Sequence, residues 1–342
     1  MVTVGVIGCG KIAQVRHLPE YAARKDVTIK YVYDLSGERA QEVAGRYGAT
    51  AVESYQEILD DPEVSAVSIC AANSVHCQIT VEALKAGKHV LCEKPMAVTL
   101  AECERMVAVA RETGKYLMIG HNQRLAKAHV WARKLLESGE IGKILTFRTT
   151  FGHSGPETWA IDRKNIWFFD KNQASFGAMA DLGIHKTDLI QFLTGCRVKA
   201  VTAWMGTLDK KDSLGNPVTV DDNAICIYEL EEQVTGVMAA SWTHYGSEDN
   251  STVLYGTEGI MYIYEDPAYS IVVEKKTGEI IRYELDQIQT NTSQSKSGII
   301  DSWIDSLEEG RQPEISGEEA LDAMRAVFAA ARSAQEGRRI EL

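Results

Sequence analysis

Apolar positions in the first part of the chain alternate between two periods. Short runs rich in β-branched residues, VTVGVIG, VTIKYVYD, VSAVSIC, KHVLC and KYLMIGH, read as strands. Between them lie stretches with helical spacing, among them HLPEYAAR, SGERAQEVAGRYG, CQITVEALKAG and AVTLAECERMVAVARETG. Strand followed by helix, repeated, predicts a parallel sheet covered on both faces. From about Asn122 the pattern changes. AKAHVWARKLLESGEIG predicts a helix with a glycine stop. Strands then dominate: KILTFRTTFGH, RVKAVTAWMGTL, DNAICIYELEE, QVTGVMAASWTHY, STVLYGT, GIMYIYE, SIVVEKK and GEIIRYEL. Their glycine- or charge-containing turns predict an antiparallel sheet with one face packed on helices. DSWIDSLEEG and GEEALDAMRAVFAAARSAQEG close the chain as helices, and the polar QTNTSQSKSG stretch is expected to be a loop.

A length of 342 residues suits two domains better than one core, and the change of pattern places them at 1–121 and 122–342. The formal charge of −12 argues against a nucleic-acid or basic membrane-binding surface, because phosphates are repelled without a strong local patch. Basic residues cluster only in pairs such as Arg24-Lys25, Lys210-Lys211 and Arg338-Arg339. The opening shows no charged segment before a long apolar run, and no later run has membrane length, so a cytoplasmic protein is expected. Seven scattered cysteines without a CxxC pair read as reduced, buried residues, not as a disulfide framework or zinc cage.

The first predicted strand runs through Gly5, Gly8 and Gly10 into a helix. In that context Gly8 permits a tight turn, Gly10 lets the backbone approach a pyrophosphate, and Ala13 keeps the third fingerprint position small. The helix N-terminus offers its N–H groups to phosphate. Asp34 ends the second strand 24 residues after Gly10, where a carboxylate binds ribose hydroxyls. That favours NAD over NADP, although Arg39 on the next helix could lean toward a 2′-phosphate. Strand ends of such a sheet carry the ligand, which gathers Asn73, His76, Glu93, Lys94 and His121 around one crevice with the glycine turn.

GCGKIA, AANSVH, AGKHVLCEKPMA, GHNQRL and MADLGIHKTDLI together resemble the Gfo/Idh/MocA family of nicotinamide-dependent sugar and polyol oxidoreductases. They match, in family order, its glycine fingerprint, TPNxxH, AGKHVxxEKPxA, xxNxRF and DxGxHxxD motifs. Ala72 and Leu125 depart from the family's usual proline and phenylalanine. The resemblance implies an α/β fold: an N-terminal Rossmann doubly wound parallel sheet plus a C-terminal α+β domain with a large, mainly antiparallel open sheet. It implies cofactor contacts from Gly8, Gly10, Lys11, Ile12, Asp34, Ala71, Asn73, His76, Glu93, Lys94 and Arg124. It also implies that Lys94 binds a substrate hydroxyl and supports alkoxide formation. In this family the open sheet is commonly covered across a subunit interface, so a homodimer or homotetramer is expected.

Asp181 and His185 stand four residues apart in a predicted helix and so share a face. One reading makes Asp181 a helix cap and His185 an ordinary half-buried side chain. With the EKP context the catalytic reading leads: His185 as general base, because imidazole changes charge near neutral pH, and Asp181 orienting it or binding a neighbouring hydroxyl. Gly183 between them allows either close ligand approach or tight packing. Trp167, beside Phe168 and Phe169, is assigned a substrate contact. A metal site using His121, His153 or His244 is disfavoured because hydride transfer here needs no metal. The expected activity is oxidation of a cyclic polyol or sugar by NAD, with inositol-like substrates leading. Alternatives are a sugar oxidoreductase with retained nicotinamide, an NAD-dependent glycosidase, and a cofactor-sensing regulatory protein.

Overall fold

The structure, a computed structural model, describes residues 1–161, 166–288 and 296–342, so residues 289–295 of the expected loop lie outside the described residues. The chain forms two compact units. The first comprises residues 1–121, 159–161 and 296–321, and the second 122–158, 166–288 and 322–342.

In the first unit β1 (Val2–Ile7), β2 (Val27–Tyr33), β3 (Thr50–Ala51), β4 (Ala66–Ile69), β5 (His89–Cys92) and β6 (Leu117–Ile119) form one sheet. Their order is β3-β2-β1-β4-β5-β6, and every pairing is parallel. β4 is buried on all four residues, as expected of a strand sandwiched between helices. The unit's helices include α1 (Leu18–Ala22), α2 (Gly37–Tyr47), α3 (Tyr55–Asp60), α4 (Asn73–Lys85) and α5 (Leu100–Thr113). Ser54 with Glu57 and Thr99 with Glu102 make reciprocal capping boxes that start α3 and α5. A late segment joins this unit: helix Ile299–Glu309 follows Ser297, whose N–H is bound by Glu20, and Asp301 pairs with Arg24 at 3.2 Å. Strand order reverses between β1 and β4, which opens a crevice at their carboxyl ends.

The second unit holds α6 (Lys127–Glu137), α7 (Lys171–Ala174), α8 (Ile184–Thr194) and nine strands. These are β7 (Ile144–Gly152), β8 (Val198–Gly206), β9 (Asn223–Leu230), β10 (Thr235–Ser241), β11 (Thr252–Gly256), β12 (Gly259–Ile263), β13 (Ile271–Lys275), β14 (Ile280–Tyr283) and β15 (Ile340–Glu341). The order is β14-β13-β12-β11-β7-β10-β9-β8-β15, antiparallel except where β10 runs parallel to β7. Alternation decides the two faces. On β9, Ala224, Cys226, Tyr228 and Leu230 are buried, and the Tyr228 hydroxyl lies 2.9 Å from the Thr187 hydroxyl of α8. The intervening Ile225 and Ile227 are 51% and 47% exposed. Cross-strand register sets Trp204 beside Ile225 and Val237 beside Ile227, so this face carries a contiguous apolar patch. Among the described residues no helix is long and apolar enough to cross a membrane.

Candidate active site

The glycine turn is built for close approach. Gly8 has φ +97°, and a Cβ there would lie 2.5 Å from the Cys70 carbonyl oxygen at the end of β4. Gly10 faces open space, with nothing within 4 Å of a Cβ position. Those two properties fit a diphosphate seated on the turn: one glycine lets the chain fold against β4, and the other leaves its backbone uncovered. Lys11 and Ile12 follow, and Ile12 precedes a π-helical turn, Ala13–His17, that runs into α1. At the end of β2, Asp34 accepts the Cys9 and Ser36 N–H groups, both at 2.8 Å, while Arg39 lies 3.2 Å from its Oδ1. Arg39 therefore leans on Asp34 and tempers its negative charge.

The next two strand ends are joined by His76. Its Nδ1 lies 2.9 Å from the Pro95 carbonyl and its Nε2 3.1 Å from the Ala71 carbonyl, and burial lowers its pKa. Asn73 begins α4, and Ala72 caps it at φ −69°, the angle that proline fixes, so the departure from the family motif keeps the same backbone. Glu93 is only 4% exposed. Its carboxylate meets His17 Nε2 at 2.9 Å and accepts the Lys94 N–H at 3.2 Å. Burial opposes ionisation, but the His17 bond and the Arg16 and Lys94 charges outweigh it and hold the pKa at about 2. Lys94 itself is half-buried at the end of this strand.

In the second unit Asp181 lies in a π-helical turn, Met179–Gly183, that leads into α8 and His185. The helix-cap reading of Asp181 does not describe it. Asp221 takes that place, its carboxylate accepting the Gly177 and Met179 N–H groups, both at 2.8 Å. Burial pushes the Asp221 pKa up to about 6 despite those two bonds. The Asp181 carboxylate instead accepts the indole N–H of Trp242 at 3.1 Å and stands 3.8 Å from His153 Nε2. His153 Nδ1 accepts the Gly155 N–H at 2.9 Å, so its neutral ring carries the proton on Nε2, facing Asp181. The Phe151 ring lies 5.9 Å from both His153 and His185. Asp181, His153, Phe151 and His185 thus form one continuous buried cluster.

Gly183 serves packing: a Cβ there would lie 2.6 Å from Met179 Sδ and 3.3 Å from Met238 Cε on β10. Arg124 makes a bidentate pair with Asp188, at 2.8 and 2.7 Å, joining the NQRL segment to the last aspartate of the α8 motif. Trp167 stacks on Phe168 at 3.9 Å, and Phe169 packs 5.9 Å from Trp242, the donor to Asp181. Among the described residues no three His, Cys, Asp or Glu side chains gather as a metal site. Sequence reasoning did not single out Trp242, Asp221 or His17, and it weighed His153 only as a metal ligand. Each meets its partners from a distant segment of its own unit, so no local spacing marks it.

Residues 2–121 match the family model described as oxidoreductase family, NAD-binding Rossmann fold, and residues 129–262 match the GFO/IDH/MocA C-terminal domain. The chain is 31% identical to levoglucosan dehydrogenase of Pseudarthrobacter phenanthrenivorans, over 69% of this chain and 65% of that enzyme, just under two thirds of its length. It is 25% identical to myo-inositol 2-dehydrogenase of Thermotoga maritima over 99% of this chain and 98% of that one. A solved levoglucosan dehydrogenase in complex with NADH is similar at a TM-score of 0.87, with 25% identity over 99% of this chain and 98% of that one. The glycine turn, the strand order and these matches agree: the chain belongs to the Gfo/Idh/MocA family and is an NAD-binding oxidoreductase.

Proposed function

We propose that the protein oxidises a secondary alcohol of a cyclic polyol or sugar, inositol-like substrates first, with Lys94, Asp181 and His185 carrying the reaction. The observation behind this reading is the cluster around Asp181. A buried carboxylate held by the Trp242 indole, with His153 beside it and His185 on the same aromatic ring, is a polar constellation that core packing alone would not assemble. His185 accepts the hydroxyl proton. Asp181 binds a neighbouring hydroxyl or orients the base, and Lys94 stabilises the developing alkoxide. The bound nicotinamide supplies the hydride acceptor. Gly8, Gly10, Lys11, Ile12, Asp34, Ala71, Asn73, His76 and Glu93 belong to the cofactor side. Arg124, paired with Asp188 of α8, is assigned to the cofactor as well. Trp167 offers its ring to the apolar face of a sugar.

The exposed sheet face of Trp204, Ile225, Ile227 and Val237 is the surface of a homodimer or homotetramer. Incubating purified protein with NAD and a panel of inositols, aldoses and anhydrosugars tests the substrate assignment. NADH formation with a cyclic polyol or sugar is expected. Turnover only between two sugars on a nicotinamide that stays bound, or glycoside cleavage without net NADH, would replace it with one of the other reactions. Lys94→Ala should lose most turnover while NAD affinity stays within about tenfold, roughly 1.4 kcal/mol.

A further inference from the structure

Glu93 stands at the end of a buried chain of polar groups, His17, Ser68 and Tyr21, that the proposed reaction does not use. His17 Nε2 lies 2.9 Å from Glu93 Oε1, His17 Nδ1 lies 3.2 Å from the Ser68 hydroxyl, and the Tyr21 hydroxyl lies 2.7 Å from Ser68. One proton assignment satisfies every member. Tyr21 donates to Ser68, Ser68 donates to His17 Nδ1, and His17 Nε2 donates to the Glu93 carboxylate. The other carboxylate oxygen accepts the N–H of Lys94, the very next residue. Gly120 leaves the room this needs, since a Cβ there would press to 3.0 Å on the carboxyl group.

The chain of contacts has a direction. His17 ends the π-helical turn that begins three residues after Gly10, so it belongs to the element that follows the glycine turn. Ser68 lies on β4 and Glu93 follows β5. A bond from the Glu93 side chain to the Lys94 N–H fixes the peptide plane from which the Lys94 side chain departs. Buried carboxylates are costly unless well bonded, and the His17 hydrogen bond at 2.9 Å is the short contact on Oε1, with Arg16 Nη1 farther off at 3.9 Å. We propose that His17 is a positioning residue for Lys94, acting through the Glu93 carboxylate and tying the lysine to the phosphate-binding turn. The inference rests on the catalytic reading of Lys94.

His17→Gln keeps an N–H near the position of Nε2, whereas His17→Leu removes it. With the substrate found in the panel, His17→Leu should lower kcat by about tenfold or more while NAD affinity, measured by calorimetry, changes less than about threefold. His17→Gln should restore most of kcat. In the Lys94→Ala background, His17→Leu should cost no further turnover, because the group it positions is gone. A merely structural His17 would lower the melting temperature of both variants with kcat unchanged, and that result overturns the inference. So does a His17→Leu loss that multiplies with Lys94→Ala. If His17→Leu does not fold, Ser68→Ala takes its place: it leaves His17 Nδ1 without a donor and should reduce kcat about threefold, an unchanged kcat counting against the proposal. Failure of the underlying reading looks different, since Lys94→Ala would itself then retain full turnover.

Discussion

The indole N–H of Trp242 donates to Asp181 Oδ2 at 3.1 Å across a separation of 61 residues. Trp242 is fully buried just beyond β10, and its backbone N–H donates to the Asp222 carbonyl at 2.8 Å. The carboxylate is thus aimed by a rigid strand end. Hydrogen bonds to charged groups contribute about 1.5–3 kcal/mol. Trp242→Phe keeps the ring contact but removes the donor. It should lower kcat by about tenfold or more with NAD affinity unchanged, as steady-state kinetics and calorimetry will read. Unchanged kcat would mean that Asp181 does not depend on the indole.

Gly8 and Gly10 separate fold from ligand binding. Gly8→Ala meets both a left-handed φ and the Cys70 carbonyl, so it should destabilise the unit and abolish cofactor binding together. Gly10→Ala meets nothing in the protein. It should leave the melting temperature within about a degree or two but weaken NAD binding by at least about tenfold, because the methyl occupies the space of the diphosphate. Equal NAD affinity in Gly10→Ala would show that the backbone there does not approach the cofactor.

Asp34 and Arg39 form an ion pair at the end of β2, where the proposed site seats the ribose. In the proposed site the carboxylate would favour the free 2′-hydroxyl of NAD, and Arg39, 3.2 Å from it, would be released toward a 2′-phosphate on loss of Asp34. Asp34→Ala should therefore weaken NAD and narrow the gap to NADP in calorimetric titrations. An unaltered ratio of the two affinities would show that the carboxylate does not govern the choice.

Lys186, beside His185, is fully buried, with Nζ 2.8 Å from the Asn250 carbonyl and 3.4 Å from the Thr252 hydroxyl. Burial pulls its pKa from 10.5 down to about 7, with Asp249 and Glu248 opposing. A folded-state pKa below the unfolded one means that its stability contribution is present above about 10.5 and is lost as pH falls through about 7. Lys186→Met should accordingly be more stable than the parent at and below neutral pH, the difference shrinking as pH rises. Urea melts across that range read this out, and a variant equally destabilised at every pH would refute it.

The strands and helices were legible because burial imposes its period on the sequence: Ile225 and Ile227 alternate with Cys226 and Tyr228 as one face meets α8 and the other does not. The π-helical register at Asp181 was not legible, since a change in backbone hydrogen bonding leaves side-chain spacing almost unaltered. Gly183 was ambiguous until Met238 and Ala240, from another strand, decided for packing. Lys94, Asp181 and His185 stood in motifs, but the groups packed around them, His153 and Trp242 at Asp181, Asp221 on the backbone before it and His17 at Glu93, come from segments whose meeting depends on tertiary structure. The joining of residues 296–321 to the first unit carries no local signature either.

The most direct measurement is the pH–rate profile of polyol oxidation by His185→Ala, taken with its melting temperature on the same sample. As general base, His185 must be neutral to accept the hydroxyl proton, so the parent should lose activity as pH falls through the imidazole range. His185→Ala should be slower by about 10²–10⁴-fold and should lack that acidic limb. A His185→Ala protein that is less stable yet turns over normally, with the acidic limb intact, would contradict the catalytic role.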